Sequence, residues 1–369
     1  MSKNDPKKAW ESYCVNECAT LVPLLTKLGF VLDTDQPHLI GERHLMQALT
    51  TVSGKKLILL GRRVQDGLRV VIKAASNAKG KAELRHDRAC RLALERIRFS
   101  YQTFFSPREI LFTQTRGFII SIQEFIPKDI PFIDRPLQEQ FMLALASFKA
   151  QESAHAATHK HHRLIRKNFG DRDAAEYLRS FDSFIRITSL MVPHEKNLVS
   201  LLEQARRTLE TNTYTIDQYG NFLTHTDFVP HNFRIKDGIV YLLDHASIRF
   251  GNKYEGWARF LNFMTLYNRP LEEALVRYVA DNRTPEELLC LRLMRIYRLG
   301  EIIAFYASSL PQTSDNQHEL QRRRVLFWGE VLRGTLNEQP LDEKIRTEYI
   351  AARDRLRSED EVKRQQGLH

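Results

Sequence analysis

The stretch His225-Thr-Asp-Phe-Val-Pro-His-Asn232, followed by Tyr241-Leu-Leu-Asp244, decides how this chain is read. An apolar run, Gly220-Asn-Phe-Leu-Thr224, delivers the backbone into a short polar loop holding His225, Asp227 and Asn232. Phe233-Arg-Ile235 and Gly238-Ile-Val-Tyr-Leu-Leu243 then read as two strands, with a hairpin turn at Lys236-Asp237-Gly238. The hairpin brings a second acid, Asp244, to the end of the next strand. Transfer of a γ-phosphoryl group needs such a set. One carboxylate accepts or orients the proton of the attacking hydroxyl, while the other and an amide oxygen hold Mg²⁺ against the phosphates. The ion neutralises charge that would otherwise repel the nucleophile. An H-x-D-x-x-x-x-N spacing often arises by chance. The strand before it and the hairpin after it give it weight.

Working outward, a second part of the same chemistry lies upstream. Val70-Val-Ile-Lys73 places a lysine at the end of a strand, where it can reach the α- and β-phosphates. Most lysines are simply solvated; the order of parts along the chain is what singles this one out. The strand closes a meander of short apolar runs: Leu45-Met-Gln-Ala-Leu49, Lys56-Leu-Ile-Leu-Leu60 and Leu68-Arg-Val-Val-Ile72. Ser53-Gly54 and Gln65-Asp66-Gly67 punctuate them as turns. A helical pattern covers Lys81 to Ser100, and two more strands are expected at Glu109 to Phe112 and Gly117 to Ile122. The proline-marked stretch from Phe125 to Pro131 reads as a crossing between lobes. Before the meander, apolar spacing predicts a helix from Asp5 to Leu28, then turns through Asp33 to Pro37. Beyond Pro136 the pattern is mostly helical. The charged tail after Glu338 is expected to be a solvated helix that frays.

On these residues the chain resembles the aminoglycoside-phosphotransferase and choline-kinase branch of the protein-kinase-like superfamily. That branch typically has H-G-D-x-x-x-x-N; here the middle residue is Thr226. The resemblance runs in order from about Leu45 to Phe260 and is sharp at Lys73 and at His225 to Asp244. It implies an α+β bilobal fold with a small antiparallel β-rich N-lobe and a large, mainly helical C-lobe. The implied division is a helical extension over 1–36, an ATP-binding N-lobe over 37–126 and a C-lobe over 127–369, with the catalytic loop and hairpin at 220–245. It also implies roles. Asp227 is the catalytic base or the residue that orients the acceptor hydroxyl, and His225 braces the loop by hydrogen bonding. Asn232 and Asp244 bind Mg²⁺, and Lys73 binds ATP phosphates while a carboxylate on the next helix fixes it. Glu83 and Asp87 share the face for that partner, and both stay open. The run Ser121-Ile-Gln-Glu-Phe-Ile-Pro127 looks like the hinge, with the backbone of Glu124, Phe125 and Ile126 facing adenine. The chain departs from the family at Thr51-Val-Ser-Gly-Lys-Lys56, which is no glycine-rich phosphate loop. It departs again after Asp244, where Glu255-Gly-Trp-Ala258 stands in place of a D-L-A segment.

Composition narrows the setting. The chain has 369 residues, 43% of them hydrophobic and 27% charged, and this suits a soluble globular protein. Its four cysteines form no close-spaced metal or redox pair, so free thiols in a reducing cytoplasm are expected. No apolar run is long enough to span a bilayer. A net charge of +10 favours an acidic partner. Kinases of cationic aminoglycosides need acidic acceptor pockets, so the basic bias points to a neutral or anionic acceptor. The basic runs Lys160 to Lys167 and Gln321 to Arg324 stand beside no nucleic-acid module. His155 and His159 have metal-ligand spacing, but no third ligand accompanies them.

The expected function is an ATP- and Mg²⁺-dependent phosphotransferase acting on an alcohol group of a small molecule. The alternatives are a kinase-like nucleotide-binding regulatory protein without turnover, or a protein kinase-like enzyme. No A-P-E-like activation-segment end is present to favour the last.

Overall fold

The computed structural model describes the backbone of residues 6–45, 54–97, 105–127, 130–154 and 159–368, and all their side chains but those of 159–161 and 366–368. The chain divides into two compact units: Met1–Ala89, Ser106–Lys128 and Ser358–His369 form one, and Cys90–Phe105 and Asp129–Arg357 the other.

The first unit is built on an antiparallel sheet of β1 (Phe30–Leu32), β2 (Leu57–Arg63), β3 (Arg69–Ala75), β4 (Glu109–Thr115) and β5 (Phe118–Glu124), in the order β1-β2-β3-β5-β4. Alternation makes one face apolar. Leu59 lies opposite Ile72, and Ile72 opposite Ile122, all fully buried. Helix Pro6–Lys27 packs Trp10, Leu21, Leu24 and Leu25 into that core. On the other side of the sheet, Leu84 of helix Ala78–Arg96 packs with Ala75 and Ile119. The expected strand at Leu45 to Leu49 falls largely outside the described residues.

Two boundaries differ from the division expected of the sequence. Residues 6–36 pack with this unit rather than standing apart as an extension, because β1 pairs with β2 and helix Pro6–Lys27 packs on the sheet. The end of the chain returns to the same unit. Helix Glu359–Leu368 buries Glu361, which accepts the Glu42 N–H at 2.8 Å and pairs with Arg364 at 2.6 Å. The tail is therefore anchored, and Tyr349 and Ala352 of the preceding helix, Glu343–Leu356, are buried as well.

The second unit is helical around one aromatic core. Phe148 stacks on Trp257 with ring centroids 4.1 Å apart, and Phe228 and Phe260 close round them. Its spine is helix Pro285–Ser309, started by a capping box of Thr284 and Glu287. This helix crosses Ala174–Met191 at Gly300, where an added Cβ would run into the Phe181 ring. Four short strands interrupt the helices. β6 (Phe222–His225) pairs with β9 (Ile248–Gly251), and β7 (Phe233–Lys236) pairs with β8 (Ile239–Leu242). Asp237 and Gly238 both take positive φ, 53° and 73°, the turn that lets β7 and β8 twist together. No helix among the described residues is long and apolar enough to cross a membrane.

Two tests follow from this packing. Gly300→Ala should lower the unfolding free energy by about 1–3 kcal/mol in urea titrations, since the methyl group must displace a buried ring. Glu361 is held below the ordinary glutamate range: burial opposes its ionisation, but Arg364 and the Glu42 N–H overcome it. A depressed carboxylate stabilises the fold above its unfolded pKa and loses that contribution as pH falls through the folded value. Glu361→Gln should thus cost roughly 1–3 kcal/mol at pH 7. The gap to wild type should close as acid protonates Glu361; a gap that stays constant at all pH values would contradict this.

Candidate active site

The loop His225–Asn232 and the turn after β8 are stitched together by their own side chains. At its base, Gln151 of helix Leu137–Glu152 accepts the His225 main-chain N–H at 2.8 Å. Thr226 donates twice to the Ser247 carbonyl, from its N–H at 2.9 Å and its hydroxyl at 2.8 Å. A glycine there would give only the first bond. The Asn232 amide donates to the Asp227 carbonyl at 2.9 Å and to Asp227 Oδ2 at 2.6 Å. The Asn232 carbonyl then accepts the Leu243 N–H at 3.0 Å, one residue before Asp244. Ser247 Oγ donates to Asp244 Oδ2 at 2.6 Å. Asp227, Asn232 and Asp244 therefore belong to one hydrogen-bonded frame.

His225 is fully buried. The hydrogen bond that anchors it runs through its main chain, to Gln151. Among the described residues neither ring nitrogen meets a partner in hydrogen-bond geometry. Burial lowers its pKa below the ordinary histidine value, against the pull of Asp244 and Asp227, so the ring is neutral at pH 7. Asp227 is held the other way. Burial works against its charge, but Arg259 beside it, with Arg298 and His231, keeps the carboxylate well below its usual range. Arg259 Nε lies 2.7 Å from Asp227 Oδ1.

Helix Glu255–Tyr267 supplies that arginine, and Glu255 pins the helix. Its carboxylate is completely buried and accepts from Arg172 at 3.0 Å, Tyr177 at 2.7 Å and Arg298 at 3.3 Å. The Gly256 N–H donates to Thr224 Oγ at 3.2 Å, which ties the helix start to β6. Glu255 thus sits where an acid can brace the loop. Arg259, Gln151 and Ser247 were missed from sequence. Gln151 and Ser247 carry no motif, and the only signal for Arg259 is its i+4 spacing from Glu255.

In the first unit, Lys73 Nζ lies 3.8 Å from Asp87 Oδ2, and both side chains are largely buried. Glu83 is engaged elsewhere: it accepts the Gly54 N–H and pairs with Lys56 at 3.3 Å. Glu124 and Phe125 give their N–H groups to the carbonyls of Arg108 and Arg69 at 2.9 and 3.1 Å. Of the three suspected hinge residues, Ile126 alone keeps an N–H with no acceptor among the described residues.

The donor set suits a hard divalent cation. Asn232 uses its amide N–H groups on Asp227, so its carbonyl Oδ1 is the end left for a metal, and Asp244 adds a carboxylate oxygen. Among the described residues no group of three or more His, Cys, Asp or Glu side chains could hold a metal. The side chains of His155 and His159 lie outside the described residues.

No protein-family profile matches the chain, and no curated protein sequence matches it. Solved structures do. A spectinomycin phosphotransferase in complex with ADP and spectinomycin matches with a TM-score of 0.52 at 15% identity, over 86% of this chain and 98% of that one. The fold is that of the kinase-like phosphotransferases. A thermostable mutant of an aminoglycoside phosphotransferase, in a ternary complex with AMP-PNP and hygromycin B, superposes with a TM-score of 0.53 at 12% identity, covering 77% and 90% of the two chains. An amicoumacin kinase with AMP-PNP and Ca²⁺ gives 0.52 at 10% identity, over 79% and 88%.

The buried acid gives a direct test of how this frame is supported. Glu255→Ala leaves the Arg172 guanidinium without its carboxylate and Arg298 with Glu301 alone, and should lower the unfolding free energy by about 3–5 kcal/mol. Chemical denaturation measures it, and a loss under about 1 kcal/mol would show that the loop is braced by other contacts.

Proposed function

We propose that this protein is an ATP- and Mg²⁺-dependent phosphotransferase that moves the γ-phosphoryl group to a hydroxyl of a small molecule, neutral or anionic. The observation that carries the reading is the shared frame of Asp227, Asn232 and Asp244, joined by the two Asn232–Asp227 bonds and the Leu243–Asn232 bond. In this reading Lys73, fixed by Asp87, binds the phosphates, and the main chain at Ile126 meets the adenine. Asn232 and Asp244 hold Mg²⁺, which when bound neutralises the phosphate oxygens.

Asp227 meets the acceptor hydroxyl. The acceptor oxygen bonds to the γ-phosphorus, the bond from that phosphorus to the bridging oxygen breaks, and ADP leaves with that oxygen. The hydroxyl proton passes to Asp227 and then to solvent. A carboxylate held this acidic is a weak base. It therefore works first by orienting the hydroxyl, and takes the proton late, once the new bond has acidified it. His225, neutral and buried, keeps the loop in place without reacting.

The test has two parts. Wild type should gain thermal stability from Mg-ATP, and Asp244→Ala should lose that gain. With a turned-over acceptor, Asp227→Asn should keep the Mg-ATP shift while kcat falls roughly 10²–10⁴-fold. Full phosphoryl transfer by Asp227→Asn would refute the assignment of the base. A Mg-ATP shift with no Asp227-dependent ADP release from any acceptor would identify a nucleotide-binding protein without turnover.

A further inference from the structure

Arg259 is bonded to Asp227 through Nε alone. Its two Nη groups make no hydrogen bond or ion pair among the described residues, and the side chain is 21% exposed. Some arginines of this protein hold a carboxylate by Nε alone, as Arg323 holds Glu319, while others close a two-pronged fork. Arg88 grips Glu109 with Nε and Nη2, each at 2.9 Å, and Arg364 grips Glu361 the same way at 2.8 and 2.6 Å. Arg259 makes no such fork: Asp227 Oδ2 accepts from Asn232, and only Oδ1 accepts from Arg259. The guanidinium is held by one edge, with its other donors unspent next to the carboxylate.

The surrounding charge points the same way. The Asp227 charge is met by Arg259, and Arg298 and His231 act on it as well. Arg234 on β7 donates to the carbonyls of His231 and Phe233, flanking Asn232. Arg249 on β9 donates to those of Ala246 and Ile248, just after Asp244. Neither pairs with a carboxylate among the described residues. The elements that carry the loop therefore have cationic charge to spare. A cationic acceptor would be repelled there, and a neutral one would leave the Nη donors unmatched.

We infer that Arg259 determines acceptor specificity, its Nη groups receiving an anionic group carried by the acceptor close to the hydroxyl that Asp227 orients. It rests on Asp227 being the residue that meets the acceptor. The anion is a carboxylate or a phosphate monoester, since both present two oxygens to a planar guanidinium. It lies on the carbon next to the reacting hydroxyl, or one further away, because Nε and the Nη groups belong to one small plane.

The experiment compares four matched acceptors: glycerol, glycerate, glycerol phosphate and 3-aminopropane-1,2-diol. ADP release is followed with Mg-ATP, in wild type and in Arg259→Gln. Glycerate, glycerol phosphate or both should be used at least about tenfold better than glycerol in kcat/KM, with the amine the poorest. Whichever acid is favoured identifies the anion. Arg259→Gln should abolish the preference, chiefly through a raised KM, and a Mg-ATP thermal shift in that variant checks that it is folded. Equal use of acids and glycerol, preference for the amine, no turnover of either acid, or an acid preference that survives in Arg259→Gln would each overturn the inference. The wild-type preference is measured without any variant. Failure of wild type to bind Mg-ATP would instead sink the phosphotransferase reading itself.

Discussion

The amide of Asn232 is the contact on which the rest of the second unit's chemistry depends. By donating to both the main chain and the side chain of Asp227, it fixes the loop's acid. By accepting the Leu243 N–H, the main chain of the same residue fixes the turn that presents Asp244. A loop of polar residues would otherwise sample many rotamers, and each would cost conformational entropy on ligand binding. Here that cost is met on folding. The flanking strands supply the stiffness, since β6 is paired with β9 and β7 with β8.

Around that frame the protein places charge in layers. Glu255 is buried among Arg172, Arg298 and Tyr177, an arrangement in which each charge has a partner. One helical turn further on, Arg259 reaches Asp227. The acid that braces the helix and the arginine that braces the loop are thus set in register by i,i+4 spacing. In the first unit the Lys73–Asp87 pair is similarly sheltered.

The parts legible in the sequence are those built from local signals. β2 and β3, with their alternating apolar residues, and the Asp237-Gly238 turn could be read because period and turn chemistry are properties of a few neighbours. β1 and β9 could not. Each is three or four residues long and owes its extended form to a partner far along the chain. The docking of helix Glu359–Leu368 was hidden for a related reason: Glu361 looks like one more charge in a polar tail, and only tertiary structure brings Glu42 and Arg364 round it. Within the site, His225, Asp227, Asn232 and Asp244 stood out by spacing. Lys73 had two candidate partners, and reach separates them, since Glu83 is spent on Lys56 and Gly54. Arg259 carried no motif, and its meaning lies wholly in what it touches.

The central claim is that Asp227, Asn232 and Asp244 act as one metal–nucleotide frame. Calorimetric titration of ATP with and without Mg²⁺ tests it most directly, in wild type, Asn232→Ala, Asp244→Ala and the double variant. The account predicts that wild type binds ATP much more tightly with Mg²⁺. Each single substitution should remove that advantage, and the double substitution should remove no more than either alone. Equal affinity with and without the metal, or fully additive losses, would contradict it.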